Sequence, residues 1–247
     1  MFAAITAGCG ALLVVVNIFF RVRGADFKAL MLKTCCGAMF VITAAAAVLS
    51  LPAPLGAFEL SLGIWVLLGL FFGLLGDVWL GVKELTADYY DSYFKAGFAS
   101  FGLGHLCFVI GMLLAFRLEW PEIVASAAFA AIIPAAIIGG AARLGLDFGG
   151  LKWVAASYGF LLCWTTSTGF TAAFSSVQSA GLDPSAGQPF FLPLLIAVGG
   201  VLFLISDLVL AAIYFGGLKE RNLAHAACYV FYYGAQFTIA LSLLALA

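Results

Sequence analysis

The sequence predicts an all-helical polytopic membrane protein with eight transmembrane helices, and three observations carry that prediction. Of the 247 residues, 65% are hydrophobic and only 9% are charged, against roughly 25% charged in ordinary soluble domains. The apolar residues form continuous runs of about 20, the length that crosses a bilayer as a helix. Such runs exclude an outer-membrane barrel, whose strands alternate. Eight spans of that length use about 160 residues, so residues 1–247 make a single integral membrane domain with no room for a separate soluble one.

Hydropathy and punctuation place the spans at about 2–20, 29–50, 61–82, 94–116, 121–139, 151–175, 190–216 and 224–246. The first lacks a basic leader and is too long for a cleaved signal, so it reads as a retained span. Pro52 and Pro54 close the second, Pro121 opens the fifth, and Gly181-Leu182-Asp183-Pro184 separates the sixth from the seventh. Pro134 and Pro193 fall inside helices and are expected to kink them. The fifth is short and rich in Ala and Ile.

The odd-numbered connections and their flanks hold Arg21, Arg23, Lys28, Lys33, Lys83, Lys95, Arg143, Lys152, Lys219 and Arg221, whereas the even ones hold only Arg117. By the positive-inside rule the odd loops are cytoplasmic and both termini lie outside. The Ala-rich composition and short loops point to a bacterial inner membrane. A net charge of −1 with no basic stripe gives no nucleic-acid signal. Six cysteines in apolar stretches, without CxxC spacing, read as small buried side chains. Two histidines cannot build a three-histidine zinc site.

Most charges sit at helix ends, where they are solvated or snorkel. Asp77 and Asp207 do not. They lie about five and nine residues before the inner ends of the third and seventh helices, roughly 8 and 13 Å from the cytoplasmic boundary. Intramembrane carboxylates are costly, and they mark functional sites. Gly69, Gly73 and Gly76 share a face with Asp77 and admit a close neighbour; Gly200, Phe203 and Tyr214 share a face with Asp207. His105 lies about 15 Å from the same boundary. Tyr229, Tyr232, Tyr233 and Gln236 occupy one face of the eighth helix. Lys33 begins the second helix. Together these groups predict a polar pocket in the cytoplasmic half.

Leu74-Leu-Gly-Asp77-Val-Trp-Leu80 and Leu204-Ile-Ser-Asp207-Leu-Val-Leu210 share a pattern with four helices between them, as a parallel four-helix repeat requires. The same offset sets His105 one residue out of register with Gln236.

The block Gly69-Leu-Phe-Phe-Gly-Leu-Leu-Gly-Asp77, with Tyr93-Phe-Lys-Ala-Gly97 and Phe101-Gly-Leu-Gly-His105, resembles the central block of the YhhN-like lysoplasmalogenase family. Leu202-Phe-Leu-Ile-Ser-Asp207 and Tyr232-Tyr233-Gly-Ala-Gln236 followed by Ser242 resemble two further blocks, in the family's order and spacing. Thr34 and Ile213 depart from the family's usual proline and polar residue at those positions. The resemblance implies an eight-helix membrane hydrolase. Its activity would cleave the vinyl ether bond of lysoplasmalogens to a fatty aldehyde and glycerophosphoethanolamine or glycerophosphocholine. The substrate would be a lysophospholipid met in the membrane, and no metal or organic cofactor is implied.

Vinyl ether cleavage begins with protonation of the β-carbon and continues with water capture of an oxocarbenium ion. That chemistry needs one protonated carboxyl and one carboxylate, a pairing that neighbouring buried carboxyls achieve. The expected roles follow: Asp77 and Asp207 as the acid/base pair, His105 and Gln236 orienting water, Lys33 on the phosphate, and the tyrosines on the ammonium head group. Two rivals share the carboxylates. A proton-coupled transporter also uses paired intramembrane acids, but at the midplane and with interrupted helices. An intramembrane aspartyl protease needs Gly-x-Gly-Asp, where this chain has Leu-Leu-Gly-Asp.

Overall fold

The computed structural model describes residues 1–23, 26–52, 54, 56–85, 89–180, 190–218 and 221–246. Eight α-helices follow in order: α1 Phe2–Val22, α2 Asp26–Leu49, α3 Ala57–Leu85, α4 Tyr90–Phe116, α5 Trp120–Gly140, α6 Lys152–Ala180, α7 Phe191–Phe215 and α8 Asn222–Ser242. No strand occurs among the described residues. The Gly181–Pro184 connection and Lys219 lie outside them.

Among the described residues, seven helices are long and apolar enough to cross a membrane. The sixth falls short because its middle is rich in Ser and Thr. Most of those hydroxyls are satisfied without water: Thr165, Thr166 and Ser176 bond carbonyls one turn back, whereas the buried Thr168 hydroxyl has no partner among the described residues. Trp164 and Ser167 bond Ser126 of α5. Packed against α4, α5 and α7, α6 does not need a fully apolar surface.

Sequential helices pack as neighbours except that α4 packs on α3 and α6 rather than on α5, and α8 closes the bundle against α1, α2, α3 and α7. The core includes Phe40, Leu70, Met112, Leu162, Ile196 and Tyr233. Large apolar side chains such as Leu12, Phe27, Phe129 and Phe174 point outward. That arrangement suits a lipid surround rather than water.

The ends of α1, α3 and α7 and the approach to α6 gather at one end of the bundle. Arg21 at the end of α1 pairs with Glu84 at the end of α3. Tyr214 near the end of α7 donates to the same Glu84 over 2.8 Å. Phe148, just before α6, packs on Phe215 with ring centres 4.6 Å apart, and the Asp147 amide donates to the Phe215 carbonyl.

Several helix ends differ from the sequence expectation. The second helix starts at Asp26, so Lys33 stands two turns inside it rather than at its beginning. The third runs on to Leu85. Asp77 and Asp207 therefore each stand eight residues before the end of their helices, not five and nine. Pro193 lies in the first turn of α7, where a missing N–H costs nothing, so it makes no kink. Pro134 does sit inside α5. Lys83 is buried rather than snorkelling, its Nζ 3.5 Å from the Tyr214 ring centre and 4.1 Å from that of Phe94. Cys9 and Cys35 are exposed; the other four cysteines are buried as expected.

Glycines set the α3–α4 distance. A Cβ on Gly104 would stand 2.7 Å from the Gly69 carbonyl oxygen, and one on Gly69 would overlap the Phe108 ring. Backbone cannot yield as a side-chain tip can. Gly104→Ala is expected to destabilise the protein by about 1–3 kcal/mol, read as a lower denaturation midpoint in detergent.

Candidate active site

Asp77 and Asp207 reach one cavity, walled by residues from α2, α3, α4, α6, α7 and α8. Small residues create the space for their helices to converge. Gly73 lies under Gln236, Gly76 under Phe101, and Gly200 under Thr166; a Cβ at any of the three would come within 2.8 Å of its neighbour.

The two carboxyls have different surroundings. Asp77 is only 1% exposed. Its Oδ1 is 3.1 Å from Lys33 Nζ, and its Oδ2 accepts from the Tyr232 hydroxyl at 2.8 Å. Gln236 Nε2 donates to that hydroxyl at 3.1 Å. The resulting chain, Gln236–Tyr232–Asp77–Lys33, ties α8, α3 and α2 together. Tyr229 lies beneath Lys33, its ring centre 5.9 Å from Nζ, and Tyr233 donates to the Lys33 carbonyl at 3.4 Å.

Asp207 is half-buried and accepts a short hydrogen bond from Tyr158 of α6. Among the described residues no cation pairs with it. Phe98, Phe101 and Phe203 line the wall between the two carboxyls together with the Tyr158 and Tyr232 rings. Phe203 meets Tyr232 at 5.1 Å and Phe101 meets Tyr158 at 6.3 Å. The site thus joins one carboxylate matched by a lysine to one carboxyl held by a phenol in an aromatic wall.

Of the residues expected from the sequence, Asp77, Asp207, Lys33, Tyr229 and Tyr232 line this cavity. The others stand behind it. Gln236 reaches Asp77 only through Tyr232. Tyr233 packs on Tyr232 at 4.9 Å. His105 is buried behind Phe203 and Tyr158, at 4.9 and 5.9 Å between ring centres. Its Nδ1 lies 3.2 Å from Thr165 Oγ1, and its Nε2 has no hydrogen-bond partner among the described residues. The Thr165 hydroxyl also lies 3.1 Å from the carbonyls of His105 and Leu161.

Sequence reasoning missed Tyr158 and Glu84, and placed Tyr214 on the Asp207 face without assigning it to the site. Tyr158 is one tyrosine in a Ser/Thr-rich helix, and its partner lies 49 positions along the chain. Glu84 was read as a solvated end. It lines the cavity, bonding Tyr214 and pairing with Arg21. No cluster of metal-ligating side chains occurs among the described residues.

No curated protein and no solved structure matches the chain. A family model does match, over residues 29–243, from the start of the second helix to just past the eighth. Both aspartates and every residue described around them, apart from Arg21, fall within that match. The chain belongs to the YhhN family, the family of lysoplasmalogenases.

Proposed function

We propose that this protein hydrolyses the vinyl ether bond of lysoplasmalogens, with Asp207 as the proton donor and Asp77 as the carboxylate that orients water. The observation that carries the reading is the inequality of the two carboxyls in one cavity. Asp77 is matched by Lys33, which fits a standing negative charge. Asp207 faces Tyr158 and aromatic rings with no cation, which fits a carboxyl that arrives protonated.

The steps balance with these groups and water alone. Asp207 gives its proton to the β-carbon of the vinyl ether, leaving an oxocarbenium ion at the α-carbon beside the new carboxylate. Water held at Asp77 adds to the α-carbon and its proton returns to Asp207. The hemiacetal then moves its hydroxyl proton to the glycerol oxygen as the C–O bond breaks. The products are a fatty aldehyde and glycerophosphoethanolamine or glycerophosphocholine. Tyr158 holds Asp207 in place, and Tyr232 with Gln236 holds Asp77. Lys33 retains ammonium hydrogens for the head-group phosphate, and the Tyr229 face suits the head-group ammonium.

The test uses purified protein in lipid vesicles, with a 1-alkenyl lysophospholipid and its saturated 1-alkyl counterpart. Aldehyde and glycerophosphodiester are expected in equal amounts from the first and neither from the second, which has no double bond to protonate. Fatty acid release from an acyl lysophospholipid without aldehyde release from the alkenyl one would replace this reading with an esterase.

A further inference from the structure

A second cavity lies beside the polar one between α4, α5, α6 and α7. Its lining is apolar except where it meets the polar cavity. The two share Phe98, Tyr158, Asp207, Leu210 and Tyr214, so the Asp207 carboxyl stands at their junction. The space exists because α6 presents Ala155, Ala156 and Gly159 to it and α7 presents Ala211. At the narrowest approach a Cβ on Gly159 would lie 3.6 Å from Pro134 of α5.

The outer wall is the loosest helix of the bundle. The described α5 buries only Ser126 and Ala130, packs principally on α6, and turns Phe129 and Ile132 outward. Pro134 also leaves the Ala130 carbonyl without its helical bond. A chain in the surrounding lipid therefore meets the pocket across one thin, weakly held helix.

We propose that this pocket receives the alkenyl chain of the substrate, and that Gly159 with Ala156 sets the length it accepts. The inference rests on the lysoplasmalogenase reading and deepens it. An amphiphile with its head group beside Lys33 and Tyr229 has its ether oxygen at the junction of the two cavities. Its chain then continues into the apolar one, and the vinyl group passes beside Asp207. No other arrangement of these two cavities puts polar head, reacting bond and hydrocarbon against matching walls at once.

Two measurements test it. A non-hydrolysable 1-alkyl lysophospholipid with a diazirine at the chain end is photolysed with the wild-type protein in vesicles. Label is expected on the peptides bearing Ile133–Ile138 and Ala155–Leu162. Gly159→Leu and, separately, Ala156→Leu are then assayed with short- and long-chain alkenyl substrates. Each is expected to lower kcat/KM for the long chain by about tenfold or more and to leave the short chain within about twofold. Ala131→Leu, on the outward face of α5, is expected to leave both unchanged. Label confined to other helices, or wild-type chain profiles in both pocket variants, would overturn the proposal. Because labelling needs no hydrolysis, a wild-type protein that releases no aldehyde would refute the activity while the labelled peptides still judge the pocket.

Discussion

Asp207→Asn is expected to lower aldehyde release by about 10²–10⁴-fold, the range that a positioned general acid contributes. The amide is close in shape to the carboxyl and still accepts the Tyr158 hydrogen bond, so the site should remain assembled. What it loses is the proton delivered to the β-carbon. The fall is therefore expected in kcat, with KM nearly unchanged, because the lost interaction exists only in the transition state. Tyr158→Phe separates chemistry from positioning. It keeps the acid but frees its rotamer, and is expected to cost about tenfold, the rate equivalent of about 1.4 kcal/mol. Turnover of Asp207→Asn within a few fold of wild type would remove this residue as proton donor. A large effect of Tyr158→Phe beside a small one of Asp207→Asn would move the acid to the phenol.

The aspartates were legible because charge inside an apolar run is conspicuous whatever the fold. Their glycine faces were legible for a similar reason, since the 3.6-residue period fixes which side chains share a face. Depth was less so. Hydropathy ends a helix at its first charges, yet Lys83 finds aromatic rings and Glu84 finds Arg21 and Tyr214, so α3 continues through both. The same error put Lys33 at the surface, when its partner is the buried Asp77. His105 shows the other limit. Sequence gives a residue's depth along a helix but not what stands between it and the next one, and Phe203 and Tyr158 stand there. Tyr158 was out of reach because nothing local distinguishes a tyrosine that meets a carboxyl on another helix from one that packs. Eight transmembrane helices were expected; among the described residues eight helices are present, of which seven are long and apolar enough to cross a membrane. The lower hydropathy of the sixth follows from its hydroxyls, several of which its own carbonyls and Ser126 satisfy.

Lys33→Met is expected to be the most destabilising single change in the site. Asp77 is 1% exposed and its lysine only 13%, so the variant strands a buried carboxylate with Tyr232 as its remaining partner. Removing one member of a buried pair costs about 3–5 kcal/mol, chiefly from the charge left behind. Asp77→Asn is expected to cost less, because the amide oxygen still accepts from Tyr232 and Lys33 can turn toward the cavity. The double variant Lys33→Met/Asp77→Asn decides between the two causes. With no stranded charge it is expected to regain most of the stability lost by Lys33→Met, a coupling of the size that contacting residues show, yet to stay inactive because nothing orients the water. Denaturation midpoints in detergent, read by tryptophan fluorescence, give the stabilities, and aldehyde release gives the activity. If Lys33→Met unfolds at the wild-type midpoint, the pair does not hold α2 to α3. If instead the double variant is stable and active, Asp77 has no part in the reaction and Asp207 must work with water alone.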